Sequence, residues 1–336
     1  MTNSITTTTR TMTAWRQHRY GGPEAVAPET VRVPEPGRGE VLVRLKAASI
    51  NSGDIHLMRG EPRMVRLFFG LRRPRVAGRG MDLAGTVVAT GADAVGLAIG
   101  DRVVGAHTDT LAEFVAAPVK RLSRIPAGLS FADAAALPIA GNTAMTILDR
   151  CRVGEGSRVL VIGAGGGVGT LTVQLAAERG AEVWATCGAR AEETLRGLGA
   201  TRTFDYRSTD LAALPPGTFD AIVDIAGEPP LPLLRGLLRD GGSVALVGGE
   251  GGRVLGPLPR IARSLFAARR GRSFRSIAAV TRPAVTEQLL ELAASGRLTP
   301  AIERTFALAD ARAALAHVDE GHTVGKVVVE ADAAQG

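Results

Sequence analysis

Cysteine, lysine and aromatic residues are scarce in this chain of 336 residues. The two cysteines, Cys151 and Cys187, stand far apart and each inside an apolar segment, which excludes a disulfide framework and a cysteine-based metal site. Both are interpreted as reduced core residues. Lysine occurs only at Lys46, Lys120 and Lys326, and aromatic residues make up 4% of the chain. Arginines interleaved with aromatics and recognised nucleic-acid motifs are also missing, so we expect no nucleic-acid partner.

Long apolar runs are missing as well. No stretch reaches the roughly 18 apolar residues that cross a membrane, and no apolar run follows the Thr-rich start as in a signal peptide. We therefore expect a cytoplasmic protein without a membrane span. Residues 1–11 are interpreted as a disordered leader.

The chain has the composition of a folded protein and the length of two domains. Hydrophobic residues make up 45% and charged residues 22%, both typical of globular proteins. The net charge of +7 comes almost entirely from arginine and is interpreted as compositional bias. The densest arginine stretch, residues 260–275, is interpreted as a solvated helix face; contact with an anionic ligand, a partner or a membrane surface is the alternative.

The apolar pattern changes once along the chain. Between residues 13 and about 119 short apolar runs alternate with Gly and Pro, which predicts a β-rich domain. Ser130 precedes an Ala-rich helical stretch, and after Gly156 apolar strands alternate with amphipathic helices, as in a parallel α/β sheet. The predicted strands of that sheet are Arg158–Ile162, Glu182–Cys187, Arg202–Tyr206, Ala221–Ile225, Ser243–Val247 and Phe274–Val280.

The last part of the chain is predicted to return to the first domain. It contains a helix from Pro283 to about Ser295, a strand over Ile302–Ala307, a helix from Asp310 and a strand over Val327–Val329. We therefore predict one domain built from residues 12–135 and 284–333, with a nucleotide-binding domain, residues 136–283, inserted in it.

A glycine-rich turn joins the first strand of the parallel sheet to the next helix. Its residues predicted to contact a cofactor are Gly163, Gly165, Gly166, Gly167, Val168 and Gly169. The strict G-x-G-x-x-G spacing is not met, but G-x-x-G-x-x-G fits. Strand, glycine turn and helix together favour a dinucleotide, because residues without Cβ let its pyrophosphate approach backbone N–H groups at a helix N-terminus.

The end of the second strand favours NADPH over NADH. NAD-specific sites place a carboxylate there to accept hydrogen bonds from the ribose 2′-hydroxyl. This strand is followed by Gly188, Ala189 and Arg190, with carboxylates only at Glu192 and Glu193. Arg190 is therefore a candidate partner of a 2′-phosphate, with a surface position at the start of the helix as the alternative.

Several ordered motifs resemble the medium-chain dehydrogenase/reductase superfamily, in its zinc-independent quinone oxidoreductase-like branch. They lie at residues 47–54, 80–87, 100–103, 111–115, 163–169, 198–206 and 325–327. The resemblance implies an α/β fold in which a GroES-like β-barrel catalytic domain carries an inserted Rossmann domain, a doubly wound parallel sheet. It also implies a homodimer.

The resemblance argues against zinc. Zinc alcohol dehydrogenases of this superfamily carry a ligand cysteine where this chain has Asn51, and a His-Glu pair where it has Met81 and Asp82. Without that Lewis acid, alcohol oxidation loses its main electrostatic support. The expected reaction is transfer of a hydride from NADPH to a quinone or an α,β-unsaturated ketone. A pathway-specific enoyl reductase and a non-catalytic cofactor-binding protein are the alternatives.

By the same resemblance, Asn51 is expected beside the nicotinamide, as a donor to the developing enolate oxygen or only as a turn cap. His56 is a candidate proton donor, with solvent or Tyr20 as alternatives, and Asp54 is expected to fix the loop through backbone N–H groups. Further cofactor contacts are expected from residues along the rest of the chain, namely Thr143, Tyr206, Val247, Gly248, Gly249 and Lys326.

Overall fold

The computed structural model describes residues 10–226, 229–248, 252–268, 271–278 and 280–331. Most of the predicted leader, residues 1–9, lies outside the described residues. Its last two residues correct the prediction, because Thr11 begins the first strand and the Arg10 guanidinium stacks 4.5 Å from the centre of the Phe114 ring.

Fifteen strands and ten α-helices make up the described chain. The strands are β1 (Thr11–Gln17), β2 (Val26–Arg32), β3 (Glu40–Ile50), β4 (Asp82–Thr90), β5 (Arg102–Ala106), β6 (Phe114–Pro118), β7 (Leu122–Arg124), β8 (Arg158–Ile162), β9 (Glu182–Cys187), β10 (Arg202–Asp205), β11 (Phe219–Asp224), β12 (Leu238–Leu246), β13 (Ser273–Ser276), β14 (Ile302–Ala307) and β15 (Lys326–Glu330). The helices are α1 (Ser52–Arg59), α2 (Val65–Phe69), α3 (Phe131–Ala135), α4 (Pro138–Arg150), α5 (Gly167–Glu178), α6 (Glu192–Gly197), α7 (Leu231–Leu237), α8 (Leu258–Ala267), α9 (Pro283–Ala294) and α10 (Ala311–Asp319).

One sheet is built from both ends of the chain. Its strand order is β14, β15, β3, β4, β5, β7, with β6 paired to β3. The antiparallel pairing of β15 with β3 aligns Val327 with Ile50. A separate core of alternating apolar side chains from these strands fills this domain. This is the GroES-like part of the fold.

The second sheet is parallel and has the order β10, β9, β8, β11, β12, β13. The chain leaves β8 toward β9 on one side and reaches β11 on the other, so the strand order reverses at β8. A crevice for a ligand forms at such a point, beyond the carboxyl ends of the strands. Apolar cores cover both faces of this sheet. The fold is therefore α/β, with a Rossmann-type sheet beside the GroES-like domain.

The predicted strands are largely found where expected. Residues 158–162, 182–187 and 302–307 form β8, β9 and β14 as predicted. The largest differences are that β12 starts at Leu238 instead of Ser243, and that β13 ends at Ser276 instead of Val280. The first part of β12 contains Arg239 and two glycines, which carry no apolar strand pattern.

Smaller features also agree with the sequence. Ser130 begins α3, and its Oγ accepts a hydrogen bond from Asp133 N at 3.0 Å. Cys151 and Cys187 are free and buried, and burial raises the pKa of Cys151 to about 12.

Among the described helices, none combines the length and the apolar character needed to cross a bilayer.

Candidate functional site

The glycine turn lies at the carboxyl end of β8, against the end of β11. Gly163 has φ of 79°, a conformation that favours glycine, and a Cβ there would lie 3.1 Å from Ala226 N. Gly166 caps α5, and a Cβ on it would meet nothing within 4 Å. A Cβ on Gly169 would overlap Ala164. Gly163 and Gly169 therefore serve close packing, whereas Gly166 faces open space at the N-terminus of α5.

Strand β15 reaches this turn from the GroES-like domain. Gly325 N donates to Gly165 O at 2.7 Å, and Gly325 forms a parallel bridge with Gly166. Gly325 has φ of 82°, and a Cβ there would overlap Ala301. The two domains are thus joined directly at the turn by a residue whose side chain must be absent.

Lys326 continues from this junction into the interior. A Cβ on Gly167 would lie only 2.5 Å from Lys326 Cδ, so the lysine stem lies along the glycine turn. Its Nζ donates to Ile50 O at 3.0 Å and to Asn51 Oδ1 at 2.6 Å. Burial lowers the pKa of Lys326, while Asp82 and Asp54 act in the opposite direction. One buried side chain therefore connects the predicted cofactor turn to the predicted catalytic asparagine.

Asp82 is the anionic partner of this group. Its Oδ2 accepts from Ser49 Oγ at 2.9 Å and from Asn51 Nδ2 at 2.8 Å, and Lys326 Nζ lies 3.9 Å away. Its Oδ1 accepts from Ile139 N at 3.2 Å, at the start of α4. Burial raises the pKa of Asp82 despite these donors. We call Ser49, Asn51, Asp82 and Lys326 the Lys326 network.

The Lys326 network fixes the orientation of the Asn51 amide. Lysine can only donate, so the amide oxygen faces Lys326, and a carboxylate accepts, so the amide nitrogen faces Asp82. Asn51 also begins α1, and its backbone N donates to Asp54 Oδ2 at 2.8 Å. The expected loop-fixing role of Asp54 is therefore present. Burial raises the pKa of Asp54 to about 7.

The two candidate proton donors have hydrogen-bond partners outside this network. His56 is exposed on α1, with Nδ1 3.1 Å from Glu61 O. Because a carbonyl only accepts, this contact places a proton on Nδ1, which leaves Nε2 of the neutral ring without one. The Tyr20 hydroxyl donates to Gly70 O at 2.6 Å, and burial raises its pKa.

The other predicted cofactor residues are spread around the crevice. Thr143 is buried in α4, where its Oγ1 donates to Ile139 O at 2.7 Å. Val247 and Gly248 follow β12 at its carboxyl end, and Val247 N donates to Asp224 O at 3.0 Å. Gly249 lies outside the described residues. Thr143 thus adjoins the backbone that contacts Asp82, and residues 247–248 lie at the end of β12, which pairs with β11 beside the glycine turn.

Arg190 stands just after β9, as predicted, but already has an acidic partner. Its side chain is 71% exposed and pairs with Glu303 Oε1 of β14 at 2.6 Å. No local sequence pattern indicates this pair, because the two residues are 113 positions apart and belong to different domains. Arg190 is the exposed partner of this pair, whereas Glu303 is only 13% exposed and also pairs with His317 Nε2 at 3.1 Å.

A second arginine, just after the neighbouring strand β10, was missed by the sequence reasoning. The Arg207 guanidinium stacks 4.6 Å from the centre of the Tyr206 ring. A Cβ on Gly188 would lie 3.3 Å from an Arg207 terminal nitrogen and 3.6 Å from Tyr206 Cε1. The adjacency of Arg207 to the predicted contact Tyr206 was the available signal. Arg207 therefore lies beside Gly188, and Arg190 follows Gly188 by two positions, at the strand end where an adenosine ribose would be read.

Groups of three or more His, Cys, Asp or Glu that could hold a metal ion do not occur among the described residues. Asn51 and Asp82, which take the positions of expected zinc ligands, are instead engaged with the Lys326 amine.

Two family models match the chain. The one described as an alcohol dehydrogenase GroES-like domain covers residues 37–127, and the one described as a zinc-binding dehydrogenase covers residues 198–329. The words "zinc-binding" belong to the description of the family model. Among the described residues of this chain, no group of three or more His, Cys, Asp or Glu could hold a metal ion.

Similar proteins cover nearly the whole chain. The chloroplastic quinone-oxidoreductase QR1 of Triphysaria versicolor is 33% identical, over 95% of this chain and 98% of that protein. The chloroplastic NADPH-dependent alkenal/one oxidoreductase of Arabidopsis thaliana is 28% identical, over 95% and 79%. The structure of the quinone oxidoreductase from Coxiella burnetii has a TM-score of 0.83 at 27% identity, over 96% and 99%. The chain is an oxidoreductase and belongs to the medium-chain dehydrogenase/reductase superfamily, in its quinone oxidoreductase-like branch.

Proposed function

We propose that this oxidoreductase is an NADPH-dependent, zinc-independent reductase of a conjugated acceptor, either a quinone or an α,β-unsaturated ketone. The observation that carries the proposal is the position of Lys326, which lies along the glycine turn and donates to Asn51. A single side chain thereby couples the residues that would hold the cofactor to the residue that would face the substrate.

The glycine turn fits a dinucleotide. The first N–H groups of α5 have no partner within the helix, and the open space at Gly166 lets an anionic pyrophosphate approach them. Val168 and the neighbouring glycines Gly163, Gly165, Gly167 and Gly169 would shape the turn around it. Thr143, Val247, Gly248 and Gly249 would border the nicotinamide half.

The choice of NADPH is supported by two arginines and by the name of one relative. Arg207 and Tyr206 lie beside Gly188, with the guanidinium stacked on the ring, and Arg190 follows Gly188 by two positions. A guanidinium binds a phosphate with parallel hydrogen bonds and keeps its charge at any physiological pH. The Arabidopsis relative is named as NADPH-dependent. We assign Arg190 and Arg207 together to the 2′-phosphate.

When bound, the dihydronicotinamide would supply the hydride. Asn51 would stabilise the negative charge that develops on the acceptor oxygen. Its Nδ2 carries two hydrogens, of which Asp82 accepts one, and we assign the second to the substrate. Lys326 would hold the amide in this orientation through Oδ1, so that the donor is already aligned before the charge develops.

The proton that completes the reduction would come from His56 or from solvent. His56 Nε2 would donate only in the protonated ring, since Nδ1 contacts Glu61 O. Its exposure on α1 gives it direct exchange with water.

Zinc independence is supported by the ammonium group of Lys326, which already places a positive charge beside Asn51 and Asp82. Lys326 Nζ lies 2.6 Å from Asn51 Oδ1 and 3.9 Å from Asp82 Oδ2. A divalent cation bound to these two side chains would be repelled by the ammonium group of Lys326. Among the described residues, no cluster of His, Cys, Asp or Glu offers three ligands. The division into residues 12–135 plus 284–333 and residues 136–283, the homodimer and the cytoplasmic location are retained as part of the proposal.

The experiment follows NADPH absorbance in the presence of a panel of quinones and enones, with NADPH binding measured separately by titration. The proposal expects turnover with at least one acceptor and tighter binding of NADPH than of NADH. Tight NADPH binding without turnover across the panel would make the chain a non-catalytic binding protein. Absence of both binding and turnover would overturn the proposal altogether.

A further inference from the structure

Two segments next to the crevice are rich in arginine and contain no acidic residue. Residues 62–81 contain six arginines and residues 252–278 contain seven, and neither range contains Asp or Glu. The first segment follows α1, whose N-cap is Asn51, and the second follows β12 and the predicted cofactor contacts Val247 and Gly248. Both segments therefore come after elements that carry residues of the candidate site.

The two segments are joined to each other across the domains. Arg63 N donates to Arg253 O at 2.8 Å, and Met64 N donates to Val254 O at 3.0 Å. A Cβ on Gly256 would lie 2.5 Å from Pro62 Cγ. They form one surface, with α2 on one side and α8 on the other.

This surface exposes large apolar side chains. Around α2 the exposed ones include Leu67, Phe69 and Leu71, together with Phe68, which is 66% exposed. In the second segment they include Val254 and Leu255. A surface of this kind on a soluble domain marks a site of interaction.

Helix α8 carries its apolar face outward. Leu258, Ala262, Leu265 and Phe266 follow the i, i+4, i+7, i+8 spacing of one helix face and are all exposed, Phe266 by 83%. The opposite side of the helix contains buried Ser264 and holds Arg260, which pairs with buried Asp224 at 2.6 Å. The predicted solvated arginine face over residues 260–275 is thus wrong for α8, because its inward arginine is paired and its outward face is mainly apolar.

Exposed guanidinium groups surround these apolar side chains. They belong to Arg63, Arg72, Arg73, Arg75, Arg253 and Arg263. Arg253 pairs with Glu61 at 2.9 Å while remaining 82% exposed. We call the exposed side chains of residues 63–76 and 253–266 the arginine-rich patch.

We propose that the arginine-rich patch docks the protein on the surface of an anionic lipid bilayer. Leucine and phenylalanine flanked by basic residues are what a segment lying in the headgroup region presents, since the apolar groups enter the acyl boundary and the basic groups meet anionic headgroups. A second copy of this chain is disfavoured, because a symmetric contact would bring arginines against arginines without a carboxylate from either segment.

The arginine-rich patch indicates how the proposed substrate would reach the site. Along the chain, its two segments follow α1, whose N-cap is Asn51, and the predicted cofactor contact Gly248, so docking would turn the crevice toward the bilayer. A quinone or enone with an apolar tail dissolves in that bilayer and would reach the site from it. This substrate class rests on the proposed function, whereas the docking itself does not.

The test is sedimentation of the full chain with phosphatidylcholine vesicles, with and without phosphatidylglycerol. Wild type is expected to sediment with the anionic vesicles, less so at high salt because exposed charges are screened, and much less with pure phosphatidylcholine. Phe266→Asp should weaken binding at least about tenfold, since it removes a large apolar group and adds a repelled charge. Val95→Asp is the matched control, because Val95 is also 83% exposed but lies between β4 and β5.

Several outcomes would overturn the docking proposal. One is that neither vesicle type retains wild type, and another is that Phe266→Asp and Val95→Asp bind equally. A solution mass of Phe266→Asp that shows a different oligomeric state from wild type would make the patch an interface between copies of the chain. Tighter binding of wild type to poly-glutamate than to vesicles would assign the patch to an acidic protein partner. Turnover of a water-soluble enone, measured on the same variants, should be unchanged. Vesicle binding without turnover in any variant would contradict the proposed function alone.

Discussion

The Lys326 network and the arginine-rich patch depart from the usual distribution of residues in opposite ways. The network buries two titratable side chains, Lys326 and Asp82, whereas the patch exposes phenylalanines and leucines. A buried ionisable group costs stability unless it is paired, and a contiguous patch of exposed apolar groups marks a surface for a partner. The network has its partners within the fold, in hydrogen bonds of 2.6 to 3.0 Å. Among the described residues, the exposed apolar side chains of the patch have no such covering partner, which is why we assign them one outside the chain.

The largest expected effect comes from breaking the network at its cation. Lys326→Met keeps the length of the stem but leaves Asp82 buried without its opposite charge. Loss of one partner of a buried pair costs about 3 to 5 kcal/mol. Chemical denaturation should therefore show a free energy of unfolding reduced by about that amount. Lys120→Met, at an exposed lysine, is the control, and equal stability of the two variants would contradict the assignment.

The next effect concerns the glycine turn. Gly166→Val places a branched side chain in the open space at the N-terminus of α5. We expect NADPH affinity to fall at least about a hundredfold, or about 2.7 kcal/mol, with an unchanged far-UV circular dichroism spectrum. Gly166 has an extended backbone with φ of −81°, which valine also adopts. Unfolding of this variant would show that Gly166 serves packing instead of binding.

The buried region, unlike the exposed patch, should make the stability of the protein depend on pH, through Asp54. Burial raises the pKa of Asp54 from 3.8 to about 7, with Asp82 adding to the increase and Lys326 and Arg79 opposing it. The folded state therefore disfavours the charged carboxylate, and the stability that Asp54 contributes is complete below its ordinary pKa and lost as the pH rises toward about 7.

Asp54→Asn cannot ionise, so it should gain stability relative to wild type over that range. The gain between pH of about 4 and about 8 should exceed about 1.4 kcal/mol, the value of one pKa unit. Thermal unfolding at the two pH values measures it. A difference between the proteins that does not change with pH would refute the buried charge at Asp54.

The smallest effect is expected at the exposed arginines of the cofactor site. Arg190→Ala and Arg207→Ala should each weaken NADPH binding about tenfold, or about 1.4 kcal/mol, more than NADH binding. Arg196→Ala is the control, because Arg196 pairs with Glu192 on α6. Equal losses for the two cofactors would remove both arginines from the 2′-phosphate.

The sequence reveals most where local geometry restricts residue choice. Glycine is required at Gly163 by a positive φ, and apolar runs mark buried parallel strands such as β8, so turn and sheet were predicted together. Asn51, Met81 and Asp82 were identified by resemblance.

Contacts between distant residues leave no such local trace. Lys326 and Asn51 are 275 positions apart, and Arg190 and Glu303 are 113 apart. The arginine-rich stretch was interpreted as a solvated face because a charge pattern does not tell which side of a helix is buried. The packing of α8 decides this, through the Arg260–Asp224 pair.

Asn51, as a donor aligned by Lys326, is the central residue of the proposed mechanism. The direct measurement is the steady-state kcat of Asn51→Ala with an accepted enone, beside Ser49→Ala, whose wild-type hydroxyl also donates to Asp82 Oδ2. We predict a kcat lowered about a hundredfold for Asn51→Ala, as for loss of one donor to a developing oxyanion, with unchanged NADPH affinity and a nearly unchanged kcat for Ser49→Ala. An Asn51→Ala variant with the kcat of wild type would contradict the account.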